Sequence, residues 1–313
     1  MKMQHVDKIE CPLCNGTSFK AIHLYHEFSG KKFEKLICRH CTLIQLHPML
    51  TEDEIKRLYS FDYFQKAYRC EAPQPYWKMI DEIGNDFKRR VMPLIQHYIG
   101  SEGYKALEIG CAGGAVLKVL EEAGFHAYGV EINPQIAEWG KEHLGVNIMK
   151  GTLEDQKFPS GFFDVVYLGD LLEHITKPVE FLREVWRVTS VGAILIIDIP
   201  FEMNAVLPRL FYSMLAPLLH MISGYERQSP YPPYHAFVYS PKTIKRLLRK
   251  NGFEVISLRQ SKILRLSSWK AVFDVPNLFL TKVLNALGDR ATVVAKRINE
   301  GVEITCLSEL RHR

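Results

Sequence analysis

The chain has 313 residues, 47% of them hydrophobic and 24% charged, which gives enough apolar mass for a large core and excludes disordered, collagen-like and mini-protein classes. Its formal charge of +5 is uneven, because residues 242–297 hold 13 Lys or Arg against three acids, a local +10 that leaves −5 for the rest. A solvated basic face is the simpler explanation of that end, and an anionic partner the other. No apolar run near the N-terminus has the length of a signal peptide, and the most apolar stretch, Ala205–Ser223, is interrupted by Pro208, Arg209, Pro217 and His220. A cytoplasmic, non-spanning protein is therefore expected.

The first element in chain order is a metal knuckle. Cys11-Pro-Leu-Cys14 and Cys38-Arg-His-Cys41 are two tight thiol pairs 23 residues apart, with a hairpin predicted to turn at Ser29-Gly30-Lys31. Four thiolates in this pattern close a tetrahedron around Zn2+ with no position left for water, so the ion is expected to be structural. Four close histidines, His23, His26, His40 and His47, are read as surface or packing residues. Thr51 followed by Glu54 predicts a capped helix, and an aromatic bend follows at Tyr59, Phe61, Tyr63 and Phe64. After Pro75 a second helix is predicted to run to about Ile99, from the helical spacing of Met79, Ile83, Phe87, Val91 and Leu94.

From Lys105 onward, short apolar runs alternate with amphipathic ones: 106–109, 127–132, 146–149, 165–168 and 193–199. Alternation of this kind predicts an α/β fold with a doubly wound parallel sheet. Runs at 254–258 and 291–296 complete seven strands if the last returns antiparallel. The first strand enters Glu108-Ile-Gly110-Cys111-Ala112-Gly113-Gly114, a glycine-rich turn at the edge where nucleotides bind. A dinucleotide fingerprint needs Gly-x-Gly-x-x-Gly, whereas this loop places Gly110, Ala112 and Ala115 at those positions. Glu131, ending the second strand, can accept both hydroxyls of a ribose.

LEIGCAGG, YGVEINP, FDVVYLGDLLEHI and EFLREVWRVTSVGAILIIDIP, in this order, resemble the motifs of class I S-adenosylmethionine-dependent methyltransferases over roughly residues 100–300. The resemblance implies a Rossmann-like seven-stranded methyltransferase sheet. It assigns cofactor binding to Glu108, Gly110, Cys111, Ala112, Gly114, Glu131, Ile132, Leu153, Gly169 and Asp170. Residues 110–114 would line the methionine portion, Glu131 the ribose, the backbone near Leu153 the adenine, and Gly169 with Asp170 the far side of the sulfonium. Thr152 departs from the acid that many relatives carry there. The knuckle followed by HPMLTEDEIKRLYSFDYF also resembles the N-terminal module of bacterial zinc-ribbon methyltransferases, including deoxysugar C-methyltransferases. Those carry a Tyr-x-Glu-His motif, whereas Tyr234-His235 here is preceded by proline, which disfavours C-methylation. The organisation expected is a zinc ribbon over 1–48, a helical connector and cofactor-site cover over 49–100, and a methyltransferase domain over 101–313 with inserted helices near 203–224 and 263–287.

Methyl transfer to a hydroxyl or amine needs alignment and a base, and histidine suits that role near neutrality. His174, beyond the fourth strand of the sheet, and His235, in the irregular YPPYHAFVYSP segment, are the candidates. Asp198-Ile-Pro-Phe201 resembles an adenine N-methyltransferase box, but it follows the wrong strand and reads as a strand end. Leu207, Leu210, Phe211, Met214, Leu215, Leu218, Leu219 and Ile222 form an apolar helical stripe, read as an insertion helix, a substrate lid or a membrane-surface contact. The function expected is O-methylation of a small molecule: a sugar, a lipid-linked compound or another amphiphilic metabolite. The alternatives are an RNA methyltransferase that grips phosphates with the ribbon and the basic end, although the ribbon shows no aromatic platform, and a non-catalytic binding protein on the same fold.

Overall fold

Two sheets organise the residues described by the computed structural model, which are 9–67, 75–100, 103–201, 215–224, 226–229, 232–261 and 288–298. The first sheet begins with β1 (Phe19–Phe28), β2 (Lys31–Cys38) and β3 (Ile44–His47), paired antiparallel. Its hairpin turns at Ser29 and Gly30, both in the left-handed region, where a residue without a Cβ is at ease. Helix α1 (Glu52–Leu58) starts as expected, with the Thr51 side chain accepting from the Glu54 amide and Glu54 reaching back to the Thr51 amide.

The predicted helix to Ile99 is broken in the structure. A short 3₁₀ turn (Tyr76–Lys78) precedes α2 (Ile80–Arg90), and the chain restarts at Val91 as α3 (Met92–Tyr98). Pro93 explains the break, since it has no N–H to continue the ladder and stands in the first turn of α3, where none is needed.

The second sheet contains β4 (Lys105–Ile109), β5 (His126–Glu131), β6 (Ile148–Lys150), β7 (Phe163–Gly169) and β8 (Thr189–Pro200), all parallel. Helices α4 (Ala115–Glu122), α5 (Pro134–Leu144) and α6 (Pro178–Val188) connect its strands and cover its faces. Central strands such as β4 are consequently buried almost end to end, as expected of a parallel sheet packed on both sides.

Beyond β8 come α7 (Ala216–Ser223), β9 (Arg227–Gln228), β10 (Phe237–Val238) and α8 (Pro241–Lys250). Then β11 (Phe253–Ser261) and β12 (Arg290–Arg297) complete the second sheet in the order β11-β12-β8-β7-β4-β5-β6, with β12 antiparallel to both neighbours. The strand order turns back between β4 and β7, which opens a crevice at their carboxyl ends.

Strands β9 and β10 do not join that sheet. They add to the two edges of the ribbon, giving β10-β3-β2-β1-β9. The segment expected as a ribbon, 1–48, thus shares its sheet with residues nearly 200 positions downstream. Of the apolar stripe, Leu207, Leu210, Phe211 and Met214 lie outside the described residues, as does the helix expected at 263–287. At its described end Leu215, Leu218, Met221 and Ile222 are exposed, the last two by 76% and 73%. No helix among the described residues is long and apolar enough to cross a membrane.

Candidate functional site

The glycine-rich loop leaves β4 with Gly110, Ala112 and Gly114 all at positive φ. Ala112 pays for this geometry with a buried hydrogen bond, its N–H donating to Glu131 Oε2 at 2.9 Å. Glu131 also accepts from Asn133 N at 2.8 Å through its other oxygen. The carboxylate therefore ties the end of β5 to the loop, and the lone pairs that remain on its two oxygens can accept from hydroxyls. Glu108 is buried beneath the loop, and its Oε2 has no hydrogen-bond partner. Burial, reinforced by Glu131, pushes the Glu108 carboxyl well up, and burial also raises Glu131 against the amides of Asn133, Ala112 and Ile132. Two buried carboxyl groups with one oxygen unsatisfied suit a ligand that brings hydroxyls and positive charge, as S-adenosylmethionine does.

The other predicted cofactor residues lie around the same edge. Cys111 is buried, while Ile132 is 44% exposed and Leu153 1%. Gly169 ends β7, and Asp170 follows in the left-handed region, its Oδ1 accepting from Arg290 Nη2 at 2.7 Å. Thr152 caps the turn at 154–156 by accepting from the Asp155 amide, and Asp155 in turn accepts from the Thr152 amide at 2.8 Å. The Asp198-Ile-Pro-Phe201 segment closes β8. There Asp198 accepts from Arg90, Tyr167 and Thr292 in a buried network.

His174 and His235, 61 positions apart, meet with ring centroids 4.8 Å apart. His174 sits in a 3₁₀ turn (Leu172–His174) just past β7. Its Nδ1 lies 2.9 Å from the Tyr234 carbonyl oxygen and 2.6 Å from the Tyr59 hydroxyl. A carbonyl can only accept, so Nδ1 carries the proton and Nε2 keeps the lone pair of the neutral ring. Glu173 Oε1 stands 3.6 Å from that Nε2. The Glu173 side chain is buried, neither of its oxygens has a hydrogen-bond partner, and burial followed by Asp170 pushes its carboxyl up to about 8. The Glu173 carboxyl and the His174 ring thus meet at the buried end of the site.

The histidines and the loop belong to one site. A Cβ on Gly110 would come within 2.9 Å of Leu171 Cδ1, three residues before His174. Tyr59 bridges the two parts, since its backbone carbonyl accepts from Asn133 Nδ2 at 2.8 Å while its hydroxyl reaches His174. Tyr63 and Tyr234 pack around it, with ring centroids 5.8 Å apart. Tyr76 accepts from the Ala115 amide at 3.2 Å, at the start of α4. Sequence reasoning had placed Tyr59 and Tyr63 only in an aromatic bend and missed Tyr76, Asn133 and Arg290 altogether. The Asn-Pro pair after Glu131 is a readable helix start, but nothing local marks Asn133 as a partner of Tyr59.

In the ribbon, Cys11 Sγ lies 3.4 Å from Cys41 Sγ and Cys14 Sγ 3.6 Å from Cys38 Sγ, and all four sulfurs fall within 4.8 Å of one another. A tetrahedral Zn–S₄ centre with bonds of about 2.3 Å separates its sulfurs by about 3.8 Å, so the four thiols fit one ion.

Residues 107–197 match the family described as a methyltransferase domain. A ubiquinone biosynthesis O-methyltransferase of Methylococcus capsulatus is 27% identical over 107 residues, 32% of this chain and 45% of that protein. The protein of the same name from Maricaulis maris is 31% identical over 104 residues, 30% of this chain and 40% of that protein. In both, the match spans less than half of the relative's own length. A solved SAM-dependent methyltransferase from Archaeoglobus fulgidus is 20% identical, covers 70% of this chain and 94% of its own, and gives a TM-score of 0.48.

Proposed function

We propose that this chain, whose residues 107–197 are a methyltransferase domain on a class I sheet, methylates a hydroxyl of a small amphiphilic molecule. The observation that carries the reading is the His174–His235 pair, with Nδ1 of His174 committed to the Tyr234 carbonyl, just past a turn whose Leu171 packs on Gly110 of the glycine-rich loop. Glu108, Gly110, Cys111, Ala112, Gly114, Glu131, Ile132, Leu153, Gly169 and Asp170 would hold S-adenosylmethionine, which when bound supplies an electrophilic methyl group on a sulfonium. Glu131 orients the ribose through its two hydroxyls. His174 Nε2 would take the proton of the acceptor hydroxyl, and His235 and the tyrosines would wall the acceptor in. One Zn2+ on Cys11, Cys14, Cys38 and Cys41 would supply folding energy rather than chemistry.

The acceptor class rests on two supports. The exposed side chains of Leu218, Met221 and Ile222 offer an apolar surface, and the curated relatives are named for ubiquinone biosynthesis. A lipid-like phenol or a lipid-linked sugar fits such a surface better than a free polar sugar does. Within the described part of the basic end, the outer face of α8 exposes Lys242, Lys245 and Arg249 over buried Ile244, Leu247 and Leu248. It can meet anionic headgroups at a membrane surface.

The test pairs binding with turnover. Calorimetry with S-adenosylhomocysteine should show binding at one site, and His174→Ala should leave that affinity intact while lowering turnover on an authentic acceptor by about 10²- to 10⁴-fold. Retention of full turnover by both His174→Ala and His235→Ala would overturn the assignment of the base. Co-sedimentation with anionic vesicles, lost in Met221→Glu and Ile222→Glu, tests the amphiphilic acceptor separately.

A further inference from the structure

The four-cysteine knuckle lies at one end of the first sheet and the histidine pair at the carboxyl edge of the second, yet the same residues hold both. Tyr234 and His235 lie between β9 and β10, the two strands that the ribbon captures. Gln45 faces Phe237 and Ile44 faces Val238, while Leu46 N donates to Ala236 O at 2.8 Å, one residue after His235. On the other edge Ser229 N donates to Tyr25 O at 2.7 Å. Tyr234 and Tyr59 both pack on the small ribbon core of Phe33, Leu46, Leu50 and Leu58. The two partners of His174 Nδ1 are thus packed on the ribbon, Tyr234 through its strand neighbours and Tyr59 with one further tie, its carbonyl accepting from Asn133 Nδ2 after β5.

A second line runs through the interior. Cys11, Cys38 and Cys41 share one buried cluster with Ala236, Phe237 and Tyr239. The Tyr239 ring is fully buried and its hydroxyl has no hydrogen-bond partner. Tyr239 therefore packs in the interior with the knuckle thiols and with Ala236, one residue after His235. Lys250 Nζ, at the end of α8, donates to Pro12 O inside the knuckle at 3.2 Å. The cofactor carboxylate is held differently, since Glu131 takes its bonds from the backbone amides of Ala112 and Asn133, and the ribbon reaches it only at one remove, through the Asn133 side-chain bond to the Tyr59 carbonyl.

We propose that the metal-loaded knuckle is the positioning element of the histidine pair: the folded ribbon sets the Tyr234–His235 segment and Tyr59, and through them the orientation and tautomer of His174, while cofactor binding stands apart from it. The proposal rests on the functional reading above for what the pair does, and on the shared sheet for how it is held. It assigns the ribbon a part in the transfer step that a mere N-terminal appendage would not have.

The experiment uses the full chain, loaded with zinc and then stripped by a chelator, beside a Cys38→Ser variant. Hydrogen exchange at Leu46 and residues 236–239 should accelerate by about tenfold or more on metal loss, with β4 and β7 still protected. The Nδ1–H resonance of His174 should broaden or shift, and S-adenosylhomocysteine affinity should change by no more than about twofold, or roughly 0.4 kcal/mol. Unchanged exchange at 236–239, or an unchanged His174 resonance, overturns the proposal. Cofactor affinity and β4 protection falling together with the metal also overturns it, because the ribbon would then support the whole fold, and so does a wild-type chain that holds no metal. Failure of the zinc-loaded chain to bind S-adenosylhomocysteine at all defeats the methyltransferase reading instead, and the exchange result then still decides whether the ribbon holds this segment.

Discussion

The Tyr59 hydroxyl and Nδ1 of His174 are 2.6 Å apart, although 115 positions separate them in the chain. Because the Tyr234 carbonyl also claims this nitrogen, at 2.9 Å, one N–H is shared between a tyrosine oxygen and a backbone oxygen. The sharing commits the ring to one tautomer before any acceptor arrives.

Tyr59→Phe removes one of the two acceptors. The loss of a single neutral hydrogen bond is worth about 1 kcal/mol, so turnover should fall by only about fivefold. Nitrogen NMR should still find the His174 proton on Nδ1, since the Tyr234 carbonyl remains. A switch to the Nε2–H form would show that Tyr59, and not the carbonyl, sets the tautomer.

Glu131→Ala should weaken S-adenosylhomocysteine binding by roughly 1.5–3 kcal/mol, the worth of hydrogen bonds to a charged group, or about 10- to 150-fold in Kd. Part of that loss comes from the Ala112 and Asn133 amides, which lose their buried acceptor. Calorimetry on the variant measures it, and equal affinity would remove Glu131 from the cofactor site.

Glu173 makes a pH-dependent contribution whose sign is unusual for an acid. Its carboxyl is raised in the folded state to about 8 from an ordinary value of 4.5, so the native protein binds more protons than the unfolded chain between those values. Stability therefore declines as pH rises from 4.5 towards 8 and levels off above that. Glu173→Gln should flatten the decline, and its advantage over wild type should grow with pH across this window. Denaturant titrations at pH 5, 6.5 and 8, taken as round values on either side of neutrality in that window, measure it, and a constant difference at all three would contradict the raised carboxyl.

Asp198 anchors the network that ties α2 to the second sheet, with its side chain only 2% exposed and Arg90 Nη2 at 2.9 Å. Tyr167 and Thr292 also donate to it. Asp198→Ala leaves Arg90 with Asp86 alone and strips the Tyr167 and Thr292 hydroxyls of their buried acceptor, and should destabilise the fold by about 3 kcal/mol. Cofactor affinity in the variant that remains folded should stay close to wild type, as Asp198 supports the sheet without touching the glycine-rich loop.

Much of the fold could be read from the chain because its signals are local. Alternating apolar runs declared the seven strands, the thiol pairs declared the knuckle, and the glycine-rich turn declared the loop at the carboxyl edge of the sheet that Glu131 ties down, each within a few residues of sequence. Thr51 with Glu54, and Ser29 with Gly30, announced a helix cap and a turn for the same reason. The break at Val91 was written in Pro93 too, but the continuous apolar spacing across it masked the missing N–H. Tertiary structure alone decided that β9 and β10 join the ribbon, because strands of two residues have no period to detect and gain their stability from the edges they cover. It alone brought His174, His235, Tyr59 and Tyr234 together, since contacts across 60 to 115 positions depend on how two sheets pack, not on any spacing. Tyr239 is the clearest instance: in sequence it is one aromatic among many, and only the packed interior sets it in one buried cluster with Cys11 and Ala236.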